Sequence, residues 1–197
     1  MHSKDAKSLL RQRIKERLSR QTDTERHAES RSICRRILES LPPAPITICA
    51  YYPLKDEADT RPIMEALLKR GDAVFLPRFE GKLVFRRLQK MDDLAPGEWK
   101  IPEPPDDAEE LDPALLDIAL IPARAYTKNG ERLGRGNGGY DLWIASQRKA
   151  NAKSQFWGIA LESQIVDSVP MEAHDAKVDA IVTARGMMHS PPISTET

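Results

Sequence analysis

Apolar residues recur through the first forty positions at intervals of three and four, the spacing of one helix face. Leu9, Leu10, Ile14 and Leu18 share one side of a segment over about 5–20, and Lys and Arg fill most of the rest. A second helix is predicted over about 23–41, with Ile33, Ile37 and Leu38 inward. Thr22 or Asp23 can cap its start, and Leu41-Pro42-Pro43 ends it because proline has no N–H to donate. The period then changes. Ile46 to Tyr52 is a β-rich apolar run closed by Pro53. Thr60 to Arg70 returns to helical spacing, with Ile63, Met64, Leu67 and Leu68 on one side and Gly71 as its stop. Ala73 to Pro77 is the next strand. Strand, helix and strand at this spacing form a βαβ unit, which predicts a parallel sheet. Further strands are predicted at 83–88, 118–122, 156–160 and 178–183, and a helix over about 141–153. Residues 91–113, rich in Pro, Asp and Glu, read as an irregular excursion. The expected architecture is α/β: a single three-layer domain over residues 1–186, with a mostly parallel sheet and the N-terminal helices packed on it. Residues 187–197, with Pro191-Pro192, are expected to form a loose tail.

Composition narrows the class. The 197 residues are 40% hydrophobic and 30% charged, as in a soluble globular domain. No run approaches the roughly 18 apolar residues of a membrane span, and the first residues lack the apolar centre of a secretory signal. Cys34 and Cys49 do not make a disulfide scaffold or a zinc cluster, so a reducing cytoplasm is the expected location; a monomer is the plainest expectation for the assembly. Thirty basic and thirty acidic residues give a net charge of zero, which argues against a general nucleic-acid binder. The charge is uneven, however. Residues 1–43 hold 11 basic and 6 acidic side chains, 92–117 hold 1 and 10, and 118–160 hold 7 and 2. Two basic stretches flanking an acidic one can gather a compact polyanion such as a nucleotide phosphate; they can also be two solvated helix faces and an acidic loop.

Three segments carry candidate chemistry. In Gly130-Glu131-Arg132-Leu133-Gly134-Arg135-Gly136-Asn137-Gly138-Gly139-Tyr140-Asp141, five of twelve residues are glycine. Glycines ahead of a helix let backbone N–H groups approach an anion, and Arg132 and Arg135 add charge. The spacing is neither a P-loop nor a dinucleotide fingerprint, and a flexible turn is the plain alternative. In His174-Asp175-Ala176-Lys177-Val178-Asp179, Asp175 can join Asp141 on a magnesium ion or serve as a local cap. In Lys55-Asp56-Glu57-Ala58-Asp59-Thr60, after the first strand, Glu57 can accept hydrogen bonds from a heterocycle or help to start a helix. Tyr51, Tyr52, Trp99 and Tyr140 are candidate stacking surfaces for a flat ligand, or simply core.

Together these residues resemble the 5-formyltetrahydrofolate cyclo-ligase family over about residues 4–183. Gly130-x-Arg132-Leu133-Gly134-x-Gly136-x-Gly138-x-Tyr140-Asp141 is similar to its signature. Lys7-x-x-x-Arg11, Asp56-Glu57-x-x-Thr60, Leu76-Pro77-Arg78, Trp99-x-Ile101-x-Glu103-Pro104, Gln164, His174-Asp175-x-x-Val178-Asp179 and Thr183 fall in the family's order. The resemblance implies an ATP- and Mg²⁺-dependent closure of 5-formyltetrahydrofolate to 5,10-methenyltetrahydrofolate. Lys7 and Arg11 would hold ATP phosphates, with Lys7 and Arg132 catalytic. Arg132, Leu133, Gly134, Arg135, Gly136, Asn137, Gly138, Gly139 and Tyr140 would form the nucleotide cradle, and Asp141 and Asp175 would hold the metal. Tyr52, Glu57, Trp99 and Tyr140 would contact the reduced folate. Three positions depart from the family: Gly139 stands where an aromatic is usual, Leu142 where a basic residue is frequent, and Thr127 where aspartate is usual. They motivate an alternative, a non-catalytic nucleotide- or folate-binding relative. A sugar-phosphate or CoA enzyme on a similar scaffold is a third reading.

Overall fold

The protein is described by a computed structural model over residues 3–191. Two helices come first, α1 (Ser3–Ser19) and α2 (Asp23–Ser40). A capping box starts α2: Thr22 Oγ1 accepts from the Glu25 N–H at 3.2 Å, and the Glu25 carboxylate accepts from the Thr22 N–H at 2.8 Å. Then follow β1 (Thr47–Cys49), α3 (Arg61–Arg70), β2 (Ala73–Phe79) and β3 (Leu83–Arg87). The acidic excursion holds the short ribbon of β4 (Ala95–Pro96) and β5 (Pro102–Glu103). It leads into β6 (Ile118–Ile121) and a second ribbon, β7 (Ala125–Tyr126) with β8 (Arg132–Leu133). The chain continues through α4 (Gly139–Ala150), β9 (Gln155–Ile159), β10 (Ala180–Thr183) and β11 (Gly186–His189).

Seven strands form one sheet in the order β11-β10-β9-β6-β1-β2-β3. The five from β10 to β2 are parallel, and β3 and β11 run antiparallel at the edges. Alternate strand residues face opposite layers. Ile48, Val74, Leu76, Leu120, Ile159 and Val182 pack with Ile14, Ile33, Ile37 and Ile63 of α1, α2 and α3. Cys49, Phe75, Ala119, Phe156 and Ile181 pack with Ile144 of α4 on the other face. This is the three-layer arrangement the hydrophobic periods predict.

Met187 to His189, expected in a loose tail, instead belong to an edge strand. Met188 pairs with Ile181 and Met187 with Val182. The two methionines pack against opposite faces of the sheet, so their alternation gives the segment apolar area to bury on both sides. Ser190 follows, its N–H donating to the Asp179 carbonyl at 2.9 Å, and the expected tail from Pro192 onward lies outside the described residues.

Candidate active site

Chain segments far apart in sequence meet in a cleft of about 280 Å³. Lys4, Lys7 and Arg11 enter from α1, spaced so that one helix face presents all three. Arg132, Leu133, Gly134, Gly136 and Gly138 come from the glycine segment. Asp141 comes from the first turn of α4, and Glu172, His174 and Asp175 from the loop before β10. Gly138 caps α4 with φ +70°, a left-handed conformation that a side chain would strain. Gly130 shares the left-handed region at φ +80°, and a Cβ there would also lie 2.2 Å from the Val178 carbonyl oxygen. That contact, with Val178 N–H donating to the Gly130 oxygen at 2.8 Å, seats the acidic loop against the glycine segment.

The carboxylates of the cleft are already paired, with Lys7 or Arg132. Lys7 Nζ lies 2.6 Å from both Glu172 Oε2 and Asp175 Oδ2, and Asp175 also accepts from the Glu172 N–H at 2.7 Å. Burial pushes the Asp175 carboxyl up, but Lys7 and that N–H outweigh it and hold the carboxyl below its ordinary range. Arg132, whose side chain is 2% exposed, donates to Asp141 Oδ1, which also accepts from the Ala176 N–H at 3.1 Å. Arg132 Nε is buried with no hydrogen-bond partner among the described residues. Arg11 Nε donates to the Gly134 carbonyl at 2.9 Å, which ties α1 to the glycine segment. A cleft of this kind offers charge-assisted donors to a polyanion and hard oxygen ligands to a divalent cation.

Four predicted cradle residues, Arg135, Asn137, Gly139 and Tyr140, do not line this cleft with the others. The Arg135 side chain turns to Asp56 and Glu57: NH2 lies 2.7 Å from Asp56 Oδ1 and 2.7 Å from Glu57 Oε1, and Nε lies 3.1 Å from the latter. Asn137 and Gly139 face a separate groove of about 490 Å³, lined also by Phe79, Leu83, Phe85 and Trp143. Tyr140 packs edge-on against Phe85 and Trp143, with Arg132 6.0 Å from its ring centre. Trp99 is exposed and leans on Phe79, a residue of the groove, with ring centres 5.3 Å apart, and it does not line the cleft of Lys7 and Asp141. Trp99 and Lys100 both hold positive φ, 55° and 60°, a strained backbone for such residues. Tyr51 is core, and Tyr52 is half-buried against it. Glu57 is 6% exposed, and its second oxygen accepts from the Leu54 N–H at 2.9 Å.

Sequence reasoning had not singled out Lys4 or Glu172. Lys4 lies one helical turn before Lys7, the signal that could have found it. Thr127 does a turn-capping job: its Oγ1 accepts from the Asn129 and Glu131 N–H groups at 3.3 Å. An aspartate oxygen could make the same bonds, so this departure leaves the turn intact. Gln164 is structural, its buried amide donating to the Ala123 carbonyl at 2.7 Å.

Fold and site together define an α/β protein with a cleft lined by paired cations and carboxylates beside a glycine segment. The sequence profile of the 5-formyltetrahydrofolate cyclo-ligase family matches residues 3–184. The chain belongs to that family. A probable 5-formyltetrahydrofolate cyclo-ligase of Schizosaccharomyces pombe is 31% identical over 193 residues, spanning 90% of this chain and 94% of the relative. The 5-formyltetrahydrofolate cyclo-ligase of Escherichia coli K12 is 32% identical over 142 residues, 70% of this chain and 77% of its own. Among solved structures, the 5,10-methenyltetrahydrofolate synthetase of Aquifex aeolicus is 29% identical. It superposes with a TM-score of 0.80, covering 97% of this chain and 96% of that one.

Proposed function

We propose that the protein is an enzyme that converts 5-formyltetrahydrofolate to 5,10-methenyltetrahydrofolate, with ATP as co-substrate and Mg²⁺ as its metal. One observation carries the reading. In a member of this family, Lys7, Arg11 and Arg132 converge with Asp141 and Asp175 on one cleft at a glycine segment.

The donor set suits magnesium, since carboxylate oxygens are hard ligands that share such an ion with phosphates, and Asp141 and Asp175 would hold it with Glu172 beside them. When bound there, it supplies charge neutralisation at the phosphate oxygens. Lys7 and Arg132 would then pass from these carboxylates to the phosphate oxygens, and Arg11 would flank them. In the chemistry proposed, the formyl oxygen attacks the γ-phosphorus and ADP leaves. N10 then attacks the activated formyl carbon and gives up its proton, and phosphate departs. Such a sequence asks the protein for alignment and charge stabilisation more than for acids and bases. Glu57, already a buried acceptor, would hold the reduced heterocycle, with Tyr52, Trp99 and Tyr140 as aromatic neighbours of the substrate.

The test is the growth of methenyltetrahydrofolate absorbance with purified protein, 5-formyltetrahydrofolate and Mg-ATP. A rise that needs both ATP and metal and vanishes in Asp141→Ala supports the reading. No rise, with ATP still bound by calorimetry, would make the chain a binding protein instead.

A further inference from the structure

Arg124 is a charged residue that the proposed chemistry does not use. It follows β6, and Asp56 follows β1; these strands are parallel neighbours, so both residues leave the sheet at the carboxyl ends where α/β proteins receive ligands. Arg124 NH1 donates to Asp56 Oδ2. Its own N–H donates to the Leu133 carbonyl at 2.7 Å, which fixes it beside Arg132 and the start of the glycine segment. Asp56 Oδ1 in turn takes Arg135 NH2, which is shared with Glu57 Oε1. Four charges thus form one chain: Arg124, Asp56, Arg135, Glu57. The side chain of Glu57 is 5% exposed, while those of Asp56 and Arg135 are about a third exposed, at 32% and 31%.

Asp56 and Glu57 are adjacent carboxylates competing for one guanidinium. A fork can grip one carboxylate with two nitrogens or divide itself between two. Here Nε and NH2 both reach Glu57, and Asp56 receives only a share of NH2. Arg124 neutralises the competitor. Without it, an unpaired Asp56 would draw the fork across, and Glu57 would lose its one charged partner among the described residues, in a nearly water-free position. We propose that Arg124 is a positioning residue for the heterocycle-binding carboxylate Glu57, acting through Asp56 and Arg135 and setting affinity for the reduced folate rather than for the nucleotide. The substrate half of this inference rests on the function proposed above.

Two measurements on the full chain test it. In steady-state kinetics, Arg124→Leu should raise KM for 5-formyltetrahydrofolate about tenfold, the loss expected from one misplaced charge-assisted hydrogen bond. KM for ATP should stay within about a factor of two. Adding Asp56→Asn should bring the folate KM back toward wild type, because a neutral amide no longer competes for Arg135. The second readout needs no turnover. By nuclear magnetic resonance, the Arg135 Nε–H, assigned by its loss in Arg135→Lys, should exchange slowly in the wild type and fast in Arg124→Leu. It should slow again in the double variant. An unmoved Arg135 signal overturns the positioning, whatever the activity. So does a parallel rise of both KM values with a fall in thermal midpoint, which is what a purely structural ion pair would give. A wild type that does not turn over folate at all, with the Arg135 signal responding as stated, sinks the functional reading and leaves the positioning standing.

Discussion

Arg132 and Asp141 form an almost fully enclosed ion pair, nine positions apart, on the wall of the cleft. Arg132 therefore holds the fold as well as facing a ligand. Deleting its side chain leaves Asp141 without its charged partner, which costs about 3–5 kcal/mol for a buried pair. Arg132→Ala should lose turnover by orders of magnitude and lower the thermal midpoint too. Arg132→Lys keeps the charge and loses the fork. It should retain most of the stability while turnover still falls by about 10². Turnover unchanged in the lysine variant would remove Arg132 from the chemistry.

Lys7 occupies the place that a cation would take between Glu172 and Asp175. Manganese alone should therefore bind weakly and bind well only with nucleotide, whose phosphates give Lys7 another partner. Lys7→Met should reverse this. Free Mn²⁺, followed by electron paramagnetic resonance, should bind at least about tenfold more tightly than to the wild type, roughly the worth of one displaced charge-assisted contact. Equal metal affinity in the two proteins would show that Lys7 does not guard these carboxylates.

The start of α3 gives a pH dependence. Hydrogen bonds from the Arg61 side chain, and then its backbone N–H and charge, hold the Asp59 carboxyl below its ordinary 3.8 against the opposing effect of burial. A carboxyl lowered on folding adds stability that is present above 3.8 and lost as the pH falls through the lower folded value. Acid unfolding followed by circular dichroism should thus shift to lower apparent sensitivity in Asp59→Asn, with the two proteins converging once the pH lies below the lowered folded value. Identical pH dependence throughout would discard the assignment.

Gly139 leaves space in the groove beside Phe85 and Trp143. A Cβ there meets nothing nearer than Leu83 Cβ at 3.9 Å, and the residue sits in α4 without a positive φ. Gly139→Tyr should therefore fold with no loss of thermal midpoint. The added ring should tighten reduced-folate binding by about 1–3 kcal/mol, the worth of one stacking surface. Unchanged affinity, measured by calorimetry, would mean that another aromatic already fills that role.

The sheet and its helices were legible because their signals are local. Periodicity locates α1 to α4 and the parallel strands within a few residues, and Thr22 with Glu25 marks a helix start in four letters. The first strand is shorter than its apolar run: the strand proper is Thr47 to Cys49, its pairing ends with the Ala50 N–H on the Phe75 carbonyl, and Tyr51 and Tyr52 lie beyond it. The last strand was missed because two methionines before a proline pair give too short a run to register. At the site, residue types and order were legible, but not the direction of side chains within the glycine segment. Arg132 and Arg135 look equivalent in sequence, yet one lines the cleft and the other reaches back to a loop 78 positions earlier. That choice is made by carboxylates which only the tertiary fold brings near.

Lys7 and Asp175 stand 168 positions apart. A chain emerging from synthesis holds every arginine and lysine of the cleft before it holds Glu172 or Asp175 to balance them. Until those two acidic residues arrive, Asp141 can balance Arg132 but Lys7 has no carboxylate of its own, so the α1 side of the cluster carries excess positive charge. Competence and charge balance at the cleft are thus reached together, once the loop that carries Glu172 and Asp175 has been made.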